Sequence, residues 1–109
     1  MPAPSARKCT ARPWKSRTAG TIAAMAGAIE SMTIGLAREL AGDGIRVNAV
    51  APGPIATDIH PPGRLERITQ AVPLARPGTV EEVAESVVFL LSEASSYTTG
   101  AILRVAGGR

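Results

Sequence analysis

The stretch Gly44-Ile45-Arg46-Val47-Asn48-Ala49-Val50-Ala51-Pro52-Gly53-Pro54-Ile55-Ala56-Thr57 decides how this chain is read. It leaves a glycine turn and alternates Ile45, Val47, Ala49 and Ala51 on one face, which predicts a short strand over 45–51. Pro52 has no N–H to give a ladder, and Gly53 tolerates backbone angles that other residues avoid, so the strand is expected to break into a loop there. Helical patterns stand on both sides of this unit. Helix, strand, irregular loop, helix is the order of an α/β protein, and in open α/β sheets ligands sit at the loops that leave the carboxyl ends of strands. Residues 52–57 are therefore the first candidates for function.

Working outward, Ile22, Met25, Ile29, Met32, Leu36 and Leu40 recur at three- and four-residue steps, which predicts a helix from Thr21 to Ala41 with Gly42 as its C-terminal cap. Gly27, Gly35 and a run of alanines give it a second smooth surface, so it needs cover on more than one side. After the central loop, Pro61-Pro62-Gly63 breaks the chain, residues 64–71 make a short helix, and Pro73 ends it. His60, the single histidine, has no acid or cysteine at ligand spacing and reads as an exposed loop residue. Thr79-Val80-Glu81-Glu82 is a capping box that opens a helix over 80–93. Residues 101–105 form a second, mostly buried strand closed by Gly107-Gly108.

At 109 residues the chain is one small domain at most, and with one Trp, one Tyr and one Phe its core must be built from small aliphatics. The single cysteine, Cys9, excludes an internal disulfide and has no partners at metal-ligand spacing, so no metal site is expected and a reducing, cytoplasmic setting is. No uninterrupted apolar run reaches the roughly 20 residues that cross a bilayer, so no membrane association is expected. The net charge of +3 is split between the ends of the chain: residues 1–20 carry five basic residues and no acid, while residues 21–109 carry seven arginines against nine acids. Residues 1–20 have too little to bury and are read as a disordered basic arm. Its readings as a solvated tail, an anionic-surface tail, a targeting peptide and a binding segment stay open, with nucleic acid the least expected partner.

Several of these motifs, in order, resemble the C-terminal part of short-chain dehydrogenase/reductases: Leu36-Ala37-Arg38-Glu39-Leu40, Gly44 to Gly53, Thr57, then Pro77-Glu81-Glu82-Val83-Ala84, Phe89-Leu90-Leu91-Ser92, Tyr97, Thr99-Gly100-Ala101 and Val105-Ala106-Gly107-Gly108. The resemblance covers Gly27 to Arg109. It implies a partial Rossmann-like α/β fold for residues 21–109, with two C-terminal parallel strands and flanking helices, and a helix over 21–41 that bundles with a neighbouring subunit. It implies an NAD(P)-dependent oxidoreductase in which Pro52, Gly53, Ile55 and Thr57 contact the nicotinamide end of NAD or NADP. Backbone groups near Ile55 would pair the carboxamide, and the Thr57 hydroxyl would reach cofactor oxygens.

The family's proton donor is the tyrosine of a Tyr-x-x-x-Lys pair, whose lysine charge makes the tyrosine more acidic. Counting back from Gly27, the tyrosine and lysine positions fall on Ile22 and Ala26, neither of which moves a proton, and Tyr97 has no lysine four residues on. The glycine-rich pyrophosphate turn has no counterpart in these residues either. The expectation is a truncated, inactive remnant with no catalytic residue of its own; origin of the arm in a truncated or frame-shifted reading frame joins the other open readings of residues 1–20. The alternative is a non-catalytic dimerisation or interaction module that pairs with itself or with a full-length relative. An unpaired edge on the first strand would favour such association.

Overall fold

The computed structural model describes residues 15–109, with side chains from Gly20 onward. Its elements in chain order are helix α1 (Lys15–Leu40), strand β1 (Ala49–Pro52), helix α2 (Arg64–Thr69), helix α3 (Val80–Leu91) and strand β2 (Ile102–Val105), with single 3-10 turns at Ala41–Asp43 and Glu93–Ser95. The strands pair in parallel, Ala49 opposite Ile102 through Pro52 opposite Val105. The two-stranded parallel sheet with flanking helices is the α/β partial Rossmann-like arrangement expected from the sequence.

Helix α1 begins six residues before the expected start, inside the stretch read as a disordered arm. Lys15 to Ala19 contain no helix breaker, so a helix nucleated by the apolar stripe propagates back through them. The rest of that arm, residues 1–14, lies outside the described residues. At its other end α1 runs into the 3-10 turn, and the left-handed residue that closes it is Gly44, at φ 73°, rather than Gly42. The Gly44 amide donates to Ala41 O and the Ile45 amide to Leu40 O, which satisfies carbonyls a helix end otherwise leaves open.

Strand β1 starts four residues later than the alternation of side chains suggested, because residues 47–48 are paired through side chains instead of a ladder. The Val47 amide donates to Thr99 Oγ1 at 3.1 Å, and Val47 O accepts from the Gly100 amide at 2.7 Å. The Asn48 carboxamide donates to Thr98 O at 2.9 Å and accepts from the Ala101 amide at 3.0 Å. Beside it, Arg46 Nη1 donates to Thr98 O and to Ser95 Oγ, and Nη2 donates to Ser92 O. Ser95 is 1% exposed, and its hydroxyl reaches Leu90 O at 2.9 Å. Arg46 and Asn48 thus fasten the 92–101 connection to the head of β1 before the ladder begins.

Helix α3 follows its sequence signal closely. Thr79 Oγ1 accepts from the Glu82 amide, and Glu82 Oε2 accepts from the Thr79 amide at 2.8 Å, so both halves of the capping box form. Glu82 also takes a two-pronged contact from Arg76, at 2.7 and 3.1 Å. These contacts, first the hydrogen bond from Arg76 and then that from the Thr79 amide, lower the Glu82 pKa from 4.5 to about 2.

Apolar burial is thin. Among the described residues only Ala37, Val72 and Leu90 form buried hydrophobic core, and Thr33 and Ser95 are the buried polar ones. Thr33 and Ala37 mark the face of α1 that packs on the body. Ala37 Cβ lies against Gly100, and Glu30 reaches Arg104 of β2 at 3.8 Å. The rest of α1 is uncovered. The segment Gly20–Asp43 is long and apolar enough to cross a membrane, with mean hydropathy 1.3 over an 18-residue window of which 11% is buried. The sequence reading required an uninterrupted apolar run and so passed over this segment, which Glu30 interrupts. The Glu30–Arg104 pair and the buried Thr33 and Ala37 tie the helix to the α/β body.

Two outcomes are expected. Asn48→Ala leaves the Ala101 amide without a partner and Thr98 O with the Arg46 contact alone, and lowers stability by about 2 kcal/mol; urea unfolding monitored by circular dichroism measures this. Because the folded Glu82 pKa of about 2 lies below its ordinary 4.5, the stability it confers is complete above pH 4.5 and is lost as pH falls through about 2. Glu82→Gln should flatten that acid limb in an acid titration of folding.

Candidate functional site

Residues 52–57 leave the carboxyl end of β1, where the parallel-sheet geometry places ligand loops. The donors that β1 gives to β2 come from alternate residues, the Ala49 amide to Ala101 O and the Gly53 amide to Val105 O. Pro52, one residue out of phase, has its nitrogen turned away from β2, so its missing N–H removes no bond between the strands. Gly53 is required for a reason different from the one expected. It does not occupy a positive-φ conformation; instead, a Cβ there would lie 2.7 Å from Ala106 Cα and 2.8 Å from Ala106 Cβ. The loop crosses the end of β2 at backbone contact.

Pro54 is buried, and beyond it the chain makes a one-residue parallel bridge with the segment before α3, Ile55 opposite Gly78. Gly78 donates to Pro54 O and the Ala56 amide donates to Gly78 O, both at 2.9 Å. This bridge turns the Ile55 N–H and C=O to the opposite side. There the Ile55 carbonyl meets His60 Nε2 at 2.9 Å, while the Ile55 amide has no partner among the described residues. His60 is therefore half-buried against the loop rather than the freely exposed residue the sequence suggested. The signal that could have found it is its spacing five residues after Ile55, across the turn at Asp58-Ile59. Thr57 is exposed.

The loop thus presents one outward peptide edge, the Ile55 amide donor beside the His60-bound carbonyl, and a hydroxyl two residues on. A primary carboxamide, with one acceptor oxygen and one NH₂, fits such an edge. In that sense Ile55 and Thr57 suit the nicotinamide end of a dinucleotide, with Pro52 and Gly53 shaping the bend.

Among the described residues no glycine-rich turn between a strand and a helix accompanies it. A groove of about 790 Å³ runs beside α3, lined by Leu74, Arg76, Glu82, Phe89, Leu103 and Val105 among others, and none of the four loop residues belongs to it. The two positions where the resembled family carries tyrosine and lysine, Ile22 and Ala26, are solvent-exposed apolar side chains on α1. Tyr97 is fully exposed. Among the described residues no group of three or more His, Cys, Asp or Glu could hold a metal ion.

Gly53→Ala forces a methyl into the Ala106 backbone. It is expected to cost about 2 kcal/mol and to separate the loop from the end of β2, which would appear as faster hydrogen exchange of the Gly107 and Leu74 region.

A family model described as enoyl-(acyl carrier protein) reductase matches residues 12–109. An uncharacterized oxidoreductase of Escherichia coli, YgfF, is 47% identical over 91 residues, which is 80% of this chain and 37% of that protein. Among solved structures, the blue fluorescent protein from a metagenomic library, in complex with NADPH, superposes with a TM-score of 0.71 at 42% identity, covering 75% of this chain and 34% of that one. A Serratia marcescens short-chain dehydrogenase/reductase superposes with a TM-score of 0.70 at 36% identity, over 75% of this chain and 34% of that one. The chain spans about a third of the length of the relatives it matches. With the motif order, the parallel sheet and these likenesses together, the chain belongs to the short-chain dehydrogenase/reductase family, of whose domain it carries the C-terminal part.

Proposed function

We propose that this chain is the nicotinamide-side wall of an NAD(P)-dependent oxidoreductase and that the 109 residues by themselves do not transfer hydride. The observation that supports this most is the contrast between an intact Pro52–Thr57 loop and the aliphatic side chains at Ile22 and Ala26. When bound, the nicotinamide supplies the hydride that a carbonyl accepts or an alcohol gives up. This chain's own residues contribute orientation. The Ile55 amide donates to the carboxamide oxygen, the Thr57 hydroxyl meets the adjoining cofactor oxygens, and the Gly53–Ala106 contact fixes the bend that aims both.

Protonation of the substrate oxygen needs a positioned acid, commonly contributing about 10²- to 10⁴-fold in rate. Nothing at the positions of Ile22 or Ala26 can supply one. Binding is weak in this reading because the adenosine and pyrophosphate have no partner; a Kd of about 1 mM or weaker is the expected range. The reducing cytoplasm, inferred from the lone Cys9, is part of the same proposal.

The uncovered stripe on α1 favours a second reading, a non-catalytic interaction module that pairs with itself or with a longer relative. Titrating NADH and NADPH while following cofactor fluorescence, together with turnover assays on a panel of alcohols and ketones, separates the two. Saturable millimolar binding without turnover is the result expected of the first reading. Turnover by the purified chain would overturn it, and absence of any binding alongside stable self-association would favour the second.

A further inference from the structure

The loop after β1 is fastened by backbone at one end and by a single side chain at the other. The Gly78 amide donates to Pro54 O and the Ala56 amide to Gly78 O, so both peptides that flank the Ile55 Cα are fixed. A Cβ at Gly78 would lie 2.8 Å from Ile55 Cδ1, which places the isoleucine side chain on that glycine. Beyond Ala56 this fastening stops. From Ala56 to Arg64 every residue is exposed except His60. The backbone from Thr57 to His60 makes no hydrogen bond to the rest of the described chain, since the turn at Asp58-Ile59 is internal to it. An exposed stretch of this kind buries too little to offset its ordering entropy. Among the described residues the one hydrogen bond that ties Thr57 to His60 back to the body is made by the His60 imidazole, Nε2 to Ile55 O at 2.9 Å.

We propose that His60 is a positioning residue of the cofactor site: its hydrogen bond to Ile55 O closes residues 55–60 into a ring and so holds Thr57 in a fixed relation to the Ile55 amide. The inference rests on the reading of Ile55 and Thr57 as nicotinamide-side contacts, and it adds the group that keeps the two together. A carbonyl oxygen only accepts, so the imidazole carries its proton on Nε2. The far side of the clasp is stiff, because Pro61 disfavours helical backbone angles at His60 and both Pro61 and Pro62 fix their own φ. Remove the imidazole, and Ile55 stays where the Gly78 bridge puts it while Thr57 is left in an exposed segment with nothing to fix it. Loss of His60 therefore splits the site. The Ile55 contact to the carboxamide survives, and the Thr57 contact to the adjoining cofactor oxygens does not.

The test compares the full 109-residue chain with His60→Ala and with His60→Gln, whose side-chain amide keeps an N–H donor, by NMR amide relaxation and by titration with nicotinamide mononucleotide. In the free chain the Thr57 amide is expected to have an order parameter of about 0.85, falling below about 0.6 in His60→Ala and restored in His60→Gln, with the β1 amides unchanged in all three. On titration, His60→Ala should keep the Ile55 amide response, lose that of Thr57 and bind about fivefold more weakly, while His60→Gln stays within about twofold of the parent. A Thr57 amide as rigid in His60→Ala as in the parent overturns the proposal. So does a loss of rigidity at Thr57 that leaves the mononucleotide affinity unaltered, and so does failure of His60→Gln to restore either readout. The parent chain supplies a check that needs no variant: its imidazole nitrogen spectrum shows the proton on Nε2 if the clasp exists, and a bare Nε2 overturns it. A parent chain that does not respond to the mononucleotide at all contradicts the cofactor reading instead, and the relaxation data then decide by themselves whether His60 holds the loop.

Discussion

The structure depends on one side chain acting as backbone. Asn48 reaches across to the 98–101 connection with a donor and an acceptor, and so sets the register in which Ala49 meets Ile102. A one-residue slip in that register would exchange the two faces of β2. Arg46 adds three contacts to the same connection, at Ser92, Ser95 and Thr98, which carry the position of the end of α3 to the head of β1. From this clamp the ladder runs to Gly53, and the carboxyl-end loop emerges in contact with Ala106. The candidate site therefore rests on polar fastening more than on an oily core.

That balance explains why so much apolar surface is open. Three small or medium hydrophobic side chains are buried among the described residues, far fewer than an independent domain of this length ordinarily needs. Yet α1 and α3 both carry apolar stripes, with Val88 and Leu91 as exposed as the α1 residues. The stripes have the spacing of core-facing helices, and they face outward because the described residues hold only two strands to face. The same composition lets α1 meet a membrane-span criterion, although the Glu30–Arg104 pair and the Ala37–Gly100 contact belong to a helix lying on the α/β body.

The architecture was legible where one local signal has one outcome. The Thr79–Glu82 capping box fixed the start of α3, and Pro-Gly fixed the end of β1. It was less legible where side chains replace backbone. The alternation of Ile45 and Val47 looks like strand, but Asn48 and Thr99 take the hydrogen bonds that would have made it one. Gly42 and Gly44 are equally good caps on paper, and only the 3-10 turn between them selects the second. Within the site, the sequence marked the four loop residues but not the contacts that shape them. The Ala106 approach that requires Gly53 is 53 residues away along the chain, and the His60–Ile55 contact depends on the turn the chain makes at Asp58-Ile59.

The central proposal is that the loop after β1 presents an edge that reads a carboxamide, while Ile22 and Ala26 supply no proton donor. Its most direct test is an amide-resolved NMR titration of the 109-residue chain with nicotinamide mononucleotide, which presents that end of the cofactor without the adenosine. The account predicts shifts concentrated at the amides of Gly53, Ile55 and Thr57, with the α3 groove unmoved. Shifts confined to the groove around Phe89 and Leu103, or an Ile55 amide that does not respond at saturating ligand, would contradict it.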